Sequence, residues 1–224
     1  AAIGVTALKQ GSALLDTPAT VKVVNDEALA VTNVTSGQQL SGIVPGYFSM
    51  QGVTGHSASI RGLGSNSPDP SIESSVAVFM NGVYLGHARD FTLPLYDIQQ
   101  LELVSGTQST LLGRNTSLGA IAIATMRPGQ DFGFNLAGTY TTGLDAVRLD
   151  GGADVPLGGG FALRAAMMVN NEQGYITNNY LKRTERDNEE ASGRITLDGP
   201  LGENGNLTII YQHDRMRTNG QNLE

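Results

Sequence analysis

From residue 129 onward the sequence alternates with period two, and no other feature constrains the fold as much. Phe132, Phe134, Leu136 and Tyr140 fall on one face of a first strand, with Asn135, Thr139 and Thr141 on the other. A second strand sets Val147, Leu149, Ala153 and Val155 against Arg148, Asp150 and Asp154, and a third sets Phe161, Leu163, Ala165, Met167 and Val169 against Arg164 and Asn170. The fourth puts Ala191, Ile195 and Leu197 opposite Ser192, Arg194, Thr196 and Asp198, and the fifth puts Leu207, Ile209 and Tyr211 opposite Thr208, Gln212 and Asp214. Each strand thus has one apolar and one polar face. Two architectures share this grammar: a soluble sheet that buries the apolar face, and a membrane barrel that turns it to lipid. The connections, at 142–145, 156–160, 171–189 and 199–205, run short, short, long, short. If the first strand rises from the periplasm, the long connection falls outside and the tight turns inside, as membrane barrels require. Alternation alone leaves both architectures open.

Composition removes several function classes. Lys and Arg number 14 against 21 Asp and Glu, a net charge of −7, so no positive footprint for a nucleic-acid partner exists. The densest basic stretch, Lys182, Arg183 and Arg186, is interleaved with Glu185, Asp187, Glu189 and Glu190 and reads as a solvated loop. With no cysteine, disulfide scaffolds, thiolate zinc sites and cysteine nucleophiles fall away together. Apolar runs such as 76–80 and 165–169 are far below the ~20 residues of a membrane-crossing helix. That limit does not touch barrel strands. A basic, then apolar leader is missing from the start, so the chain reads as mature or trimmed.

Residues up to about 128 have a different grammar, mixing short strands with short helices. Residues 21–24 read as a strand, and Asn25 as the cap of a helix whose first turn carries Asp26 and Glu27. Ser36 and Gln39 have capping-box spacing, with Leu40, Ile43 and Val44 as the apolar stripe of a helix stopped at Pro45-Gly46. Residues 76–80 predict a buried strand entering an Asn81-Gly82 turn, with 83–85 returning as a hairpin. A strand at 98–104, a short helix at 107–112 closed by Gly113, and a strand at 120–125 complete this half.

Several of these blocks together resemble the plug domain of TonB-dependent outer-membrane receptors. They are Ser59-Ile60-Arg61-Gly62-Leu63-Gly64-Ser65-Asn66, Val76 through Tyr84 with its Asn81-Gly82 turn, and Asp97 through Asn115, in the family's order and spacing. The entry at Thr17-Pro18, the segment from Leu40 to Pro45-Gly46, and the exit from Gly119 to Arg127-Pro128 also fit. The resemblance implies an α+β plug domain followed by antiparallel transmembrane β-barrel strands. It divides the chain into an N-terminal segment at 1–16, a plug at 17–128 and about five barrel strands at 129–224. Plugged barrels close with about 22 strands, so the chain is expected to be an N-terminal portion of the receptor.

The resemblance also implies partners and sites. Ile3, Val5 and Thr6 resemble the TonB box, which would pair edge-on with a TonB-type energy transducer; the alternative is an ordinary linker. Arg61 and Glu102 match plug positions that contact the barrel wall. The family's second arginine, however, is replaced at Ser105-Gly106-Thr107, which puts the plug-locking charge cluster in doubt. The polar segments 65–75 and 86–94 are expected to project from the plug, with Asn66, Asp69, His87, Arg89 and Phe91 as candidate ligand contacts or else as solvated loop residues. The ligand would be a small molecule or oligosaccharide, of the siderophore-iron, cobalamin or glycan type, and the strands would contact outer-membrane lipid. The alternative is a surface receptor that signals without transport.

Chemistry is not expected. Gly55-His56-Ser57-Ala58-Ser59 lacks the second Gly of a hydrolase elbow, and Gly62-Leu63-Gly64 lacks the third Gly of a dinucleotide loop. His56, His87 and His213 lie far apart, and Asp69, Glu73, Asp90 and Asp97 have no EF-hand spacing. No catalytic residue, metal or cofactor is implied.

Overall fold

The computed structural model describes residues 4–5, 12–13, 20–32, 34–37, 39–51, 56–64, 74–86, 94–143, 145–174, 176–185 and 187–218. The chain divides into two compact units, Ala1–Thr125 and Met126–Glu224.

The first unit opens with β1 (Gly4–Val5) paired antiparallel to β2 (Ser12–Ala13). Strand β3 (Thr20–Asn25) leads into helix α1 (Asp26–Thr32), where Asn25 Oδ1 accepts the Ala28 amide at 3.1 Å as an N-cap. The predicted stripe helix is only a 3-10 turn, Gln39–Gly42, but Leu40 and Val44 are buried as their spacing requires. The capping box is displaced by one residue. Gln39 Oε1 accepts from the Thr35 amide at 2.7 Å and from the Thr35 hydroxyl, while the Ser36 contact is only backbone to backbone. A turn this short cannot place a side chain at the third helical position over the Ser36 amide, so the glutamine reaches back further.

Next come β4 (Tyr47–Gln51), β5 (His56–Ile60) and β6 (Leu63–Gly64), a three-stranded antiparallel sheet. A five-stranded sheet follows from β7 (Val76–Met80), β8 (Val83–Leu85), β9 (Ile98–Ser105) and β10 (Gly119–Thr125), joined by β3 in the order β3-β9-β10-β7-β8. Helix α2 (Ser109–Leu112) lies between β9 and β10. Only β7 and β10 among these pairs run parallel. Both faces of β7 are buried, which explains its unbroken apolar run. Val76, Val78 and Met80 join Leu101, Leu103, Ile121 and Ile123 in the main core, and Ala77 and Phe79 pack with Ala120 on the other face.

Asn81 (φ 50°) and Gly82 (φ 81°) make the left-handed pair of a tight hairpin turn. Asn81 does more than turn the chain. Its Oδ1 accepts the Thr125 amide at 3.0 Å and its Nδ2 donates to Thr125 Oγ1 at 3.1 Å, fixing the last residue of β10. An aspartate could accept but not donate there.

The second unit is one antiparallel sheet of β11 (Gly133–Thr141), β12 (Ala146–Gly158), β13 (Phe161–Glu172), β16 (Asn188–Leu201) and β17 (Gly205–Thr218) in sequential order. The long connection is not plain loop. It contains a hairpin of β14 (Ile176–Asn178) and β15 (Arg183–Glu185). Asn178 Oδ1 accepts the Tyr180 and Leu181 amides, and Asp187 Oδ1 accepts the Gly174 amide at the hairpin's base. The charges that make 182–190 read as solvated are thus partly used as local hydrogen-bond partners.

Candidate functional site

The polarity of this second sheet decides between the two architectures open to its sequence. Phe134 is 77% exposed and Tyr211 66%, and Leu136, Leu149, Met167, Val169, Ile195 and Ile209 on the same face are exposed as well. The charged face is the buried one. Arg164 is 7% and Arg194 2% exposed, with Arg148, Ser192 and Thr196 also buried. A soluble sandwich would have it the other way round.

The apolar band also runs obliquely across the ladder. Tyr211, its last apolar residue on β17, shares a row of cross-strand partners with Ile195, Ala165, Ala153 and Phe134. On β11 the band continues beyond Phe134 to Tyr140. Six residues of drift, about 20 Å, over four strand spacings of about 4.8 Å put the strands about 45° from the band's normal. That is the tilt of a transmembrane barrel, and the 9 residues of β11 are enough to cross.

The buried face is cross-linked by polar side chains. Arg164 Nη1 donates to Asp154 Oδ2 at 2.8 Å, and its Nη2 crosses β12 to reach Asn135 Oδ1 on β11 at 2.9 Å. It passes over Gly152, where a Cβ would stand 2.6 Å from the guanidinium. Arg148 Nε donates to Asp150 at 2.9 Å, and Arg194 Nε donates to Gln212, whose amide nitrogen donates on to Asp214. Where the chain enters this unit, Arg127 Nη1 donates to Thr208 Oγ1 at 2.7 Å and lies 3.6 Å from Asp198. Arg127 apart, which precedes β11, the alternation marks these as polar-face residues. Their pairing depends on strand register, which alternation does not give.

In the first unit, Glu102 lies on the face of β9 opposite Leu101 and Leu103 and is 1% exposed. Gln100 Nε2, two residues earlier on the same strand, donates to its Oε1. Arg61 occupies the exposed turn between β5 and β6 with φ 56°, and its amide donates to the Gly46 carbonyl at 2.6 Å. Just after this turn, in β6, only glycine fits at 64: a Cβ there would meet the Ala58 carbonyl at 2.4 Å. Nearby, burial pushes the Tyr47 phenol up to about 12. Ser57 of the elbow-like stretch sits in β5, paired with Met50, with no strand-to-helix turn.

Val5 lies in β1, opposite Ser12. Ile3, Thr6, Asn66, Asp69, His87, Arg89 and Phe91 lie outside the described residues. What the structure does place is where their segments attach. Residue 74 enters β7 from the Val76 end, and Leu85 pairs with Val78, so β8 departs toward that same end. Gly119, at the start of β10, is opposite Val76, whereas Thr125 leaves at the Asn81-Gly82 end. The candidate segments therefore attach at the sheet end opposite the exit into the second unit.

An α+β domain ahead of antiparallel strands that turn an apolar band outward defines the class of plugged outer-membrane barrel proteins. Residues 13–120 match the family described as the TonB-dependent receptor plug domain. The chain carries the plug domain of a TonB-dependent receptor, and its location is the bacterial outer membrane. Among solved structures, the ferric yersiniabactin uptake receptor FyuA from Yersinia pestis is 20% identical with a TM-score of 0.78, over 88% of this chain and 31% of that one. The open form of the ferric-catecholate import receptor Fiu from E. coli K12 is 18% identical with a TM-score of 0.73, over 94% and 29%. The pyoverdine outer membrane receptor FpvA from Pseudomonas aeruginosa PAO1 is 15% identical with a TM-score of 0.73, over 96% and 31%. At these identities the likeness is one of fold, and the chain spans about a third of the length of those receptors.

Proposed function

We propose that this chain belongs to a receptor that takes up a ferric siderophore across the outer membrane at the expense of a TonB-type energy transducer. The observation that carries the reading is the outward apolar band on strands that follow a plug domain of this family in the chain. The solved receptors of like fold, for ferric yersiniabactin, ferric catecholate and pyoverdine, favour a ferric siderophore over cobalamin or a glycan. Ligand contacts fall to Asn66, Asp69, His87, Arg89 and Phe91, on segments attached at one end of the plug sheet. Arg61 and Glu102 are the plug's contacts with the barrel wall, and residues 17–128 are the plug that moves. Ile3, Val5 and Thr6 pair by strand addition with the transducer, exchanging the β1 to β2 pairing for an intermolecular one. No covalent step is involved. Ligand binding shifts the plug between states by its differential affinity for them.

Uptake of iron-55 siderophores by cells carrying the full receptor tests this. Uptake should require TonB and fall to the TonB-deficient level when Val5 is replaced by proline, which removes a ladder donor. Uptake that persists without TonB overturns the transport reading.

A further inference from the structure

Along β17 the apolar band ends abruptly. Ile209, Tyr211, His213, Arg215 and Arg217 alternate on one face, while Gln212 and Asp214 occupy the other and hydrogen-bond to each other. His213, Arg215 and Arg217 are exposed. Their cross-strand neighbours on β16 are Gly193, Ala191 and Glu189, so an acid faces Arg217 while Arg215 faces an alanine. The row that holds Arg215 continues through Ala191 to Val169 and Leu149. It is apolar on three strands and cationic on the fourth.

An arginine turned to lipid costs about 2–4 kcal/mol at the bilayer midplane but about 0–1 near the interface. These side chains therefore belong at the outer edge of the headgroup layer rather than in the hydrocarbon. With the strands tilted about 45°, two residues raise the chain by about 5 Å, which sets Arg215 about 10 Å and Arg217 about 15 Å above Tyr211 along the membrane normal. A headgroup layer is roughly 5–8 Å thick, and an extended arginine can reach back into it. Tyr211, at the boundary, has the place of an interfacial aromatic. The basic end lies away from the tight turns at 159–160 and 202–204, hence in the outer leaflet.

We propose that the outward face of β17 beyond Tyr211 binds the phosphate-bearing headgroup of an outer-leaflet lipid, with Arg215 and Arg217 as paired donors and His213 beside them. Guanidinium groups fit this role because their donor fork matches phosphate oxygens in pairs. The site rests on the outer-membrane reading of the sheet and is independent of transport.

The test uses the full receptor in phosphatidylcholine nanodiscs, titrated with bisphosphorylated lipid A and with its dephosphorylated form, with bound lipid counted by native mass spectrometry. The wild type should prefer the phosphorylated form. R215Q/R217Q should lose roughly fivefold affinity per arginine, about twenty-five-fold in all, and R215K/R217K, which keeps the charge but not the donor fork, should fall between that variant and the wild type. Retained heat-modifiable gel mobility shows that the variants fold. Equal affinity in wild type and R215Q/R217Q, or for the two lipid forms, overturns the proposal. So does displacement of the lipid by millimolar inorganic phosphate, which would reveal a simple anion site. A receptor that binds lipid A in this way yet transports without TonB would overturn the uptake reading alone.

Discussion

Replacing Gly119 with alanine should unfold the plug sheet locally, at a cost of about 3–5 kcal/mol. Gly119 opens β10 between Val76 of β7 and Ser105 of β9, with φ 150°. A Cβ there would stand 2.3 Å from the Val104 carbonyl oxygen and 2.7 Å from Ile60 Cδ1. The carbonyl is backbone of the neighbouring strand, so relief requires the ladder itself to open. Hydrogen exchange of the amides in β9 and β10 should accelerate by about two to three orders of magnitude in the full receptor. Gly42→Ala, where nothing lies within 4 Å of a new Cβ, should stay within about 0.5 kcal/mol of wild type. Unchanged exchange in the Gly119 variant would contradict the packing described for the sheet.

The second large effect concerns the buried face of the strands. Arg164→Met should destabilise the sheet by about 3 kcal/mol, the low end of the range for a broken buried pair, because it leaves the half-buried Asp154 carboxylate without its cation. Asp154 Oδ1 is already without a hydrogen-bond partner among the described residues, so Oδ2 depends on Arg164. Asn135 is exposed and can turn to water when its donor is lost. The double variant Asp154→Leu with Arg164→Met should recover most of the stability, since an apolar pair removes both charges together. Urea unfolding of the full receptor, followed by heat-modifiable mobility, reads the cycle. Additive losses in the two single variants and the double variant would show that the ion pair is not coupled.

Strand phase was legible because period-two alternation is a local property. Leu149 against Arg148, and Ile195 against Arg194, are assigned correctly by counting alone. Which face turns outward is not local: the same alternation serves a sandwich, and the burial of Arg164 and Arg194 together with the oblique apolar band distinguishes them. Turn chemistry was legible for the same reason as phase. Asn81-Gly82 adopts the left-handed pair its residue types favour, and Asn25 caps α1. The latch from Asn81 to Thr125 was not, because its partners are 44 residues apart and meet through the parallel pairing of β7 and β10.

The β14 to β15 hairpin was hidden by the charge of its residues. Its strands, Ile-Thr-Asn and Arg-Thr-Glu, are too short to show a period, and their stability comes from side-chain contacts with Asn178 and Asp187. Strands β4 and β5 lack a clean alternation for another reason. They pair with each other in a small sheet rather than in either large one, so only residues such as Tyr47, Ala58 and Ile60 are drawn into the core. Of the candidate site residues, Arg61 and Glu102 are suggested by family blocks, and their environments, an exposed left-handed turn and a buried position on β9, differ in a way no spacing encodes.

The central claim is that the apolar face of β11 to β17 meets lipid and the charged face does not. Because residues 1–224 carry no cysteine, single cysteines at Leu149 and Ile195 on one face and at Asp150 and Gln212 on the other are the only ones in these strands, once any cysteine elsewhere in the receptor has been replaced by serine. In the full receptor in intact outer membranes, a fluorophore at the first two positions should be quenched by bilayer-embedded nitroxide, and one at the second two should not. Quenching at Asp150 and Gln212 with none at Leu149 and Ile195 would contradict the account.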